Sequence, residues 1–397
     1  MSKALEAVLR DLAAFPAPEL ASPEDCKRRA AVAAVFRIQP NPSHLPPPSA
    51  TTSPASDLDT FFSQPWVQHG DPELLFIKRA SRTGDRWTSH VAFPGGKRDP
   101  TDPTDHSSAI RECLEEVGLN LTSPGVLSVG HLPDRLIKTS WGTVPLLTLC
   151  PFVFLLTTPQ TPELQLQGEE VASAHWVPWR LLFDPRLRTT ESCDVADRLA
   201  KKRGTLVRKT LSLALGQMEF SAVRLWPGRS VFATFARDYL MPVEAGIFES
   251  PLVLWGVTLA VVEDLMEMQE PGIVELWDWP TFTAWDVKAV IRAWSSGLRT
   301  RNRKRAKEAV KGVMVERMVE EKVVVDMSDS LVLVEKEEVE VLAKRSQTFR
   351  ERESTINILV DGYYDIVRKA VWATLAGRFV LGTAVVGGVV YRVLNRR

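Results

Sequence analysis

Hydrophobic and polar positions alternate along this chain in two rhythms. Near the start, Leu5, Val8, Leu9 and Leu12 recur at helical spacing, which predicts an amphipathic helix. Ser22-Pro23-Glu24-Asp25 carries a helix-start signature, with Ser as cap and Pro in the first turn. Ala31 to Ile38 is apolar and β-branched near its end, and Leu74-Leu75-Phe76-Ile77 reads as a buried strand. Val126–Leu132, Val144–Leu149 and Phe152–Leu156 have strand character, parted by turns at Pro133-Asp134 and Trp141-Gly142. Ala174 to Trp179 is a short strand leading to a turn. Met218–Leu225, Phe232–Leu240 and Leu252–Leu254 are again strand-like or apolar, before a helix through Met268 with Leu259, Val262 and Leu265 inward. Strands mixed with helices in this order predict an α+β fold.

Composition adds a length argument. A chain of 397 residues predicts two or three units. Residues 1–27 form an N-terminal helix, and 28–271 the main domain, in which 39–56 is a loop too rich in Pro, Ser and Thr to pack a core. Residues 272–369 form a charged extension containing Trp277, Trp279, Trp285 and Trp294, for which packing or docking is the expected role. Residues 370–397 form an apolar C-terminal helix. Lysine plus arginine equals aspartate plus glutamate at 49 each, so no global field favours nucleic acid, and none is expected as a partner. The basic run from Arg299 to Lys307 reads as a solvated segment or, alternatively, a localisation signal or phosphate patch. Cys26, Cys113, Cys150 and Cys193 are scattered, which argues against a zinc site or a disulfide framework and for a reducing, intracellular setting. Glu6 and Asp11 interrupt the first helix, against a signal or transit peptide.

The chemistry concentrates between Gly95 and Leu119. A glycine pair, Gly95-Gly96, lets backbone turn tightly and approach a ligand. On the helix from His106 to Val117, Glu112, Glu115 and Glu116 stack on roughly one face. Three carboxylates repel one another unless a cation sits among them, and hard oxygen ligands suit Mg²⁺ or Mn²⁺. Arg111 is placed to pair with Glu115 four residues on. Ile110, Cys113, Leu114 and Val117 make the core-facing stripe, so Cys113 is a packing residue. Thr104 or Asp105 is the expected N-cap, and Gly118 the left-handed C-cap. His90, His106, His131 and His175 stand alone and read as structural or exposed.

Gly96, Arg111, Glu112, Cys113, Glu115, Glu116, Gly118 and Leu119 together resemble the Nudix box. The first acid is Asp102 instead of Glu, and eight residues instead of seven separate it from Arg111. With Phe93-Pro94-Gly95-Gly96 before it, the stretch is similar to the coenzyme A pyrophosphatase branch of the Nudix hydrolases. Leu74, Leu75, Ser81 and Arg86 match that branch's upstream motif loosely, and Ser89 or a neighbour stands where it has Gly. The resemblance implies a Nudix fold, a mixed β-sheet sandwiched between helices, here with a long helical and charged C-terminal extension. It implies a Mg²⁺- or Mn²⁺-dependent diphosphatase with Glu112, Glu115, Glu116 and Arg111 as catalytic residues. Its substrate would be a small diphosphate, coenzyme A or acyl-coenzyme A, bound by Gly95, Gly96 and basic residues among Lys78, Arg79, Arg82 and Arg86. It also makes Glu169 or Glu170 a candidate fourth ligand or base, beside the alternative of a solvent-facing pair. ADP-ribose or NADH as substrate, or a weakly active scaffold whose function lies beyond Pro271, are the rival readings.

From Phe379 to Tyr391 the chain is uncharged and mostly apolar, short of a span unless residues around Arg378 are included. Residues 370–394 therefore read either as a tail anchor in a peroxisomal, mitochondrial or ER membrane, or as a buried or interfacial helix in a cytoplasmic protein.

Overall fold

The computed structural model describes residues 2–14, 20–24, 26–48, 54–81, 89–138, 144–194, 204–233, 252–327 and 355–395. Helix α1 spans Ser2–Ala14, and strand β1 spans Arg29–Gln39. Between them the expected helix at Ser22 is absent; Cys26 N–H closes a single turn on the Pro23 carbonyl at 2.9 Å. Ser22 instead offers its hydroxyl to Arg29. Short helices α2 (Leu58–Phe62) and α3 (Pro65–Gln68) lead into β2 (Asp71–Arg79), β3 (Val91–Ala92) and β4 (Gly95–Lys97). Helix α4 (Asp105–Val117) precedes β5 (Val126–His131), β6 (Arg135–Lys138), β7 (Pro145–Leu156) and β8 (Val171–Pro178).

These strands, with the later β11 (Arg229–Phe232), form a nine-stranded mixed sheet whose main path runs β11-β8-β2-β1-β7-β5. Strand β1 is central: parallel to β7, antiparallel to β2 and β4. Its near-continuous apolar run is explained by burial on both faces. Ala31, Ala33 and Val35 face Ala109, Cys113 and Val117 of α4. Ala34, Phe36 and Ile38 face the other way, into a cluster with Leu5, Val8, Leu9 and Leu12 of α1. The N-terminal helix is thus part of the core of the sheet. The layers are helix, sheet, helix, as the Nudix fold requires.

Strand β7 is one element where the sequence suggested two. Pro151 lies between Leu149, which pairs with β6, and Phe152, which pairs with β5. Its carbonyl accepts from Leu132 N–H at 2.9 Å, so its nitrogen faces the gap between those two partners. No ladder bond is lost there, which is how proline sits inside a central strand.

The rest of the chain builds a second, four-stranded sheet. Strand β9 (Arg188–Cys193) pairs with β10 (Met218–Leu225), which follows helix α5 (Gly204–Leu215). Strand β12 (Leu252–Trp255) flanks β10 and runs into α6 (Gly256–Gln269), which packs on α1. Past residue 271, β13 (Thr281–Phe282) joins the same small sheet by pairing with β10. Helix α7 (Trp285–Met327), short α8 (Thr355–Val360) and α9 (Tyr363–Leu394) complete the chain. Phe282, Val287, Ile291, Tyr363, Val367 and Val371 form a third core between α7, α9 and the small sheet. Trp277 is buried and Trp279 packs edge-on against Tyr363, whereas Trp285 and Trp294 are exposed. Past Arg378, which is tied to Asp286 of α7, helix α9 leaves the body, with Phe379 73%, Leu381 68% and Leu394 66% exposed. The sequence segments 234–240 and Trp141-Gly142 lie outside the described residues.

Candidate active site

Local sequence sets helix α4 at both ends. Thr104 caps it in a capping box, its hydroxyl accepting from Ser107 N–H while the Ser107 hydroxyl accepts from Thr104 N–H. Gly118 ends it in the left-handed conformation at φ 69°, which a side chain would disfavour. Cys113 is fully buried, and burial pushes its thiol up, away from any thiolate role.

The acidic face meets the glycine turn. Gly95 N–H donates to Glu116 Oε2 at 2.8 Å. A Cβ on Gly96 would lie 2.4 Å from Glu112 Oε2, and one on Gly95, at φ +152°, would meet the Ala31 carbonyl at 2.3 Å. Glycine is needed here so that strand β1, the turn and two carboxylates can share one small volume. Arg111 governs the remaining charges. Its guanidinium reaches Asp102 at 2.9 Å, Glu112 at 3.0 Å, Glu115 at 2.8 Å and the Lys97 carbonyl at 3.1 Å. Asp102 also accepts from Asp99 N–H and Ser108 Oγ, and Arg111 holds its carboxyl far below the usual carboxylate range. Asp102 is therefore the anchor that aims Arg111.

Glu116 is 1% exposed, with a backbone N–H for a partner. Burial pushes its carboxyl up to about 8, aided by the neighbouring Glu112 and Glu170 charges and opposed by Gly95 N–H and Arg79. Burial also raises Glu112, against the pull of Arg111. The loop after β7 brings Glu170 to this place. Gln165 N–H and Gln167 N–H bond the carbonyls of Val117 and Glu116, and Ala80 N–H bonds the Glu170 carbonyl at 2.7 Å. Among the described residues, no three acidic, His or Cys side chains close into a ready metal cage. Glu115, whose side chain is 54% exposed, turns to Arg111 at the rim.

Residues 66–193 match the NUDIX domain. The chain carries a NUDIX domain. A Schizosaccharomyces pombe relative, uncharacterized protein C14C4.10c, is 36% identical over 222 residues, 55% of this chain and 64% of that one. The Homo sapiens mitochondrial coenzyme A diphosphatase NUDT8 is 29% identical over 51% of this chain and 75% of its own length. The Mus musculus peroxisomal coenzyme A diphosphatase NUDT7 is 31% identical over 29% of this chain and 44% of its own. The chain thus spans under two thirds of the yeast relative and under half of the mouse one.

Within the NUDIX domain the structure brings together Gly95, Gly96, Arg111, Glu112, Glu116 and, from 54 residues downstream of Glu116, Glu170. Glu169 is exposed on the same turn. Arg79, at the end of β2, is near enough for its charge to act on Glu116. Arg86 and Arg82 lie outside the described residues. A supporting network went unanticipated: Arg29 Nε bonds Asp105 at 2.7 Å and its terminal nitrogen bonds Asp134 at 2.8 Å, and Asp134 takes His131 Nε2 at 2.8 Å. It clamps the start of α4 to β1 and the β5–β6 turn. The residues are 76 and 105 positions from Arg29, and no local spacing signals such pairs.

Proposed function

We propose that the chain hydrolyses the diphosphate bond of a nucleoside diphosphate-linked substrate, coenzyme A or acyl-coenzyme A, releasing 4′-phosphopantetheine (or its acyl form) and adenosine 3′,5′-bisphosphate. The observation that carries the hydrolytic reading is the pair Glu112 and Glu116: a half-buried and a buried carboxylate pressed against a glycine turn, with Arg111 locked beside them by Asp102. A fold does not need such a pair, because burying like charges together costs stability. The substrate reading is supported by the similarity to NUDT8 and NUDT7, both coenzyme A diphosphatases, and by the turn Phe93-Pro94-Gly95-Gly96.

The donor set fits a hard divalent cation, Mg²⁺ or Mn²⁺. Burial raises both the Glu116 and the Glu112 carboxyl, and a bound cation would favour their charged forms. Glu112 and Glu116 would hold it, with Glu115 and Glu170 at the margin. When bound, such a cation polarises diphosphate oxygens and acidifies a water. The chain's own contributions are separate. Arg111, held by Asp102, fixes the Glu112 and Glu115 carboxylates; Gly95 N–H fixes Glu116. Arg79 adds positive charge where an anionic substrate must come to rest.

A pH consequence follows. Glu116 has a folded value of about 8 against an ordinary 4.5, so the chelated protein binds an extra proton between those limits. The stability contributed by that proton is therefore lost as pH rises from about 4.5 to about 8. In thermal melts, Mg²⁺ is expected to raise the midpoint of EDTA-treated protein more at pH 8 than at pH 5. An equal shift at both would count against Glu116 as a ligand.

The substrate class is tested by a parallel panel of coenzyme A, ADP-ribose and NADH with Mg²⁺. Coenzyme A is expected to give the highest kcat/KM; a higher value for either competitor would remove the assignment.

We also read the free end of α9 as a membrane anchor. From Phe379 to Leu394 large apolar side chains are exposed on all sides. That length rises about 24 Å, against roughly 30 Å of hydrocarbon, a mismatch that thinning and snorkelling accommodate. Deleting residues 379–397 spares the α7–α9 core. The truncated protein should stay in the supernatant after sedimentation with lipid vesicles, and the full chain should pellet with them. Equal partitioning would end this reading.

A further inference from the structure

We infer that the cleft between β10 and α7, outside the glycine-turn site, binds a nucleoside monophosphate, a phosphate monoester whose sugar carries a flat base. The cleft is a cavity of about 200 Å³. From α7, Lys288, Arg292, Arg299 and Arg303 line it, at spacings of 4, 7 and 4 that fall on one helix face. Lys288 is answered by Glu219 at 3.3 Å. Arg292, Arg299 and Arg303 make no ion pair with a carboxylate among the described residues. Of the lining acids, Glu219 is taken and Asp278 stands alone against three arginines.

The buried polar atoms of the wall point the same way. Trp277 is 8% exposed, yet its indole Nε1–H has no hydrogen-bond partner. Arg299 Nε and Thr281 Oγ1, both buried, have none either. Arg299 is held in place by one terminal nitrogen, which donates to the Arg292 carbonyl at 3.1 Å, so its fork is pre-aimed. Each unsatisfied group costs free energy unless a ligand answers it. Two of these three are obligate donors and the third can donate. A group with several acceptor oxygens and more than one negative charge meets both the donors and the surplus arginines, and phosphate is that group. The remaining walls, Phe220, Trp277, Trp279 and Tyr363, are aromatic and suit a flat ring. Arg188 already lies over the Trp277 ring, 5.0 Å from its centroid, which stiffens that wall.

The site does not depend on the proposed hydrolysis. Calorimetric titration of the full-length protein in EDTA, with AMP, inorganic phosphate and adenosine as probes, tests it. AMP is expected to bind most tightly, phosphate more weakly and adenosine without measurable heat. Arg303→Gln, at an exposed position, should weaken AMP about tenfold, and Trp277→Phe, which keeps the ring and removes the N–H, about fivefold. Circular dichroism and melting midpoints should match the parent, and Glu116→Gln should leave AMP affinity unchanged. No heat with AMP or phosphate, adenosine binding equal to AMP, affinity unaltered by both pocket variants, or affinity lost in Glu116→Gln would each overturn the assignment.

Discussion

Replacing Glu116 by Gln is expected to lower diphosphate turnover by roughly a hundred- to a thousandfold or more, with the fold retained. Gln keeps the size of the side chain and can still accept from Gly95 N–H through its carbonyl oxygen, so the turn against β1 should survive. What it loses is the negative charge, which is the property a divalent cation or a developing positive charge requires. The same change removes a buried carboxylate pushed up to about 8, so the variant should be more stable than the parent in EDTA at pH 8 and no more stable at pH 4. A variant that melts higher at pH 8 and hydrolyses nothing would separate folding from chemistry. Retained turnover would show that the carboxylate has no part in the reaction.

Glu73→Ala carries the largest stability effect. Arg37 and Glu73 sit directly opposite each other on β1 and β2, with side chains 4% and 5% exposed and Nε–Oε2 2.8 Å apart. Removing Glu73 leaves a buried guanidinium without its carboxylate, for which a loss of about 3–5 kcal/mol is expected. Two contacts remain to Arg37, Thr161 Oγ1 and the face of Trp176 at 4.4 Å, and they favour the lower end. Replacing both partners together by Leu should recover most of the loss, because no orphaned charge then remains. Urea unfolding checks this; a single variant within 1 kcal/mol of the parent would mean that water reaches Arg37.

The legible parts of this protein are those written in short spacings. Helix α4 was readable from its caps and the Arg111–Glu115 interval, because these act within two turns of one another. Of the expected stripe Cys113 and Val117 are buried, Ile110 is partly buried and Leu114 is exposed, Ala109 taking the inward place instead. Strands β1 and β2 were readable from unbroken apolar runs, since burial on both faces leaves no polar alternation. Strand β7 reads as two segments in sequence, Val144–Leu149 and Phe152–Leu156; only the arrangement of β5 and β6 around Pro151 lets one strand run through. Ser22-Pro23 had the composition of a helix start but lacked an apolar stripe behind it, and Arg29 claims the serine instead. The role of Asp102 was half visible, as an acid at an unusual spacing. Its hold on Arg111 depends on the turn from Asp99 to Asp102, which folds it back. Glu169 or Glu170 was a candidate through the family resemblance alone; what brings Glu170 to the site is the loop's bonds to the α4 carbonyls, a tertiary event with no local signature. Trp277 and Trp279, expected to pack or dock, pack as walls of a core and a cleft.

The most direct measurement is cleavage of coenzyme A by protein stripped with EDTA and then returned to Mg²⁺ or Mn²⁺, with products identified by mass spectrometry. The carboxylate site predicts no cleavage in EDTA and, on metal return, matched release of 4′-phosphopantetheine and adenosine 3′,5′-bisphosphate. Cleavage that persists in EDTA, or no cleavage of coenzyme A, ADP-ribose or NADH with either metal, would contradict it.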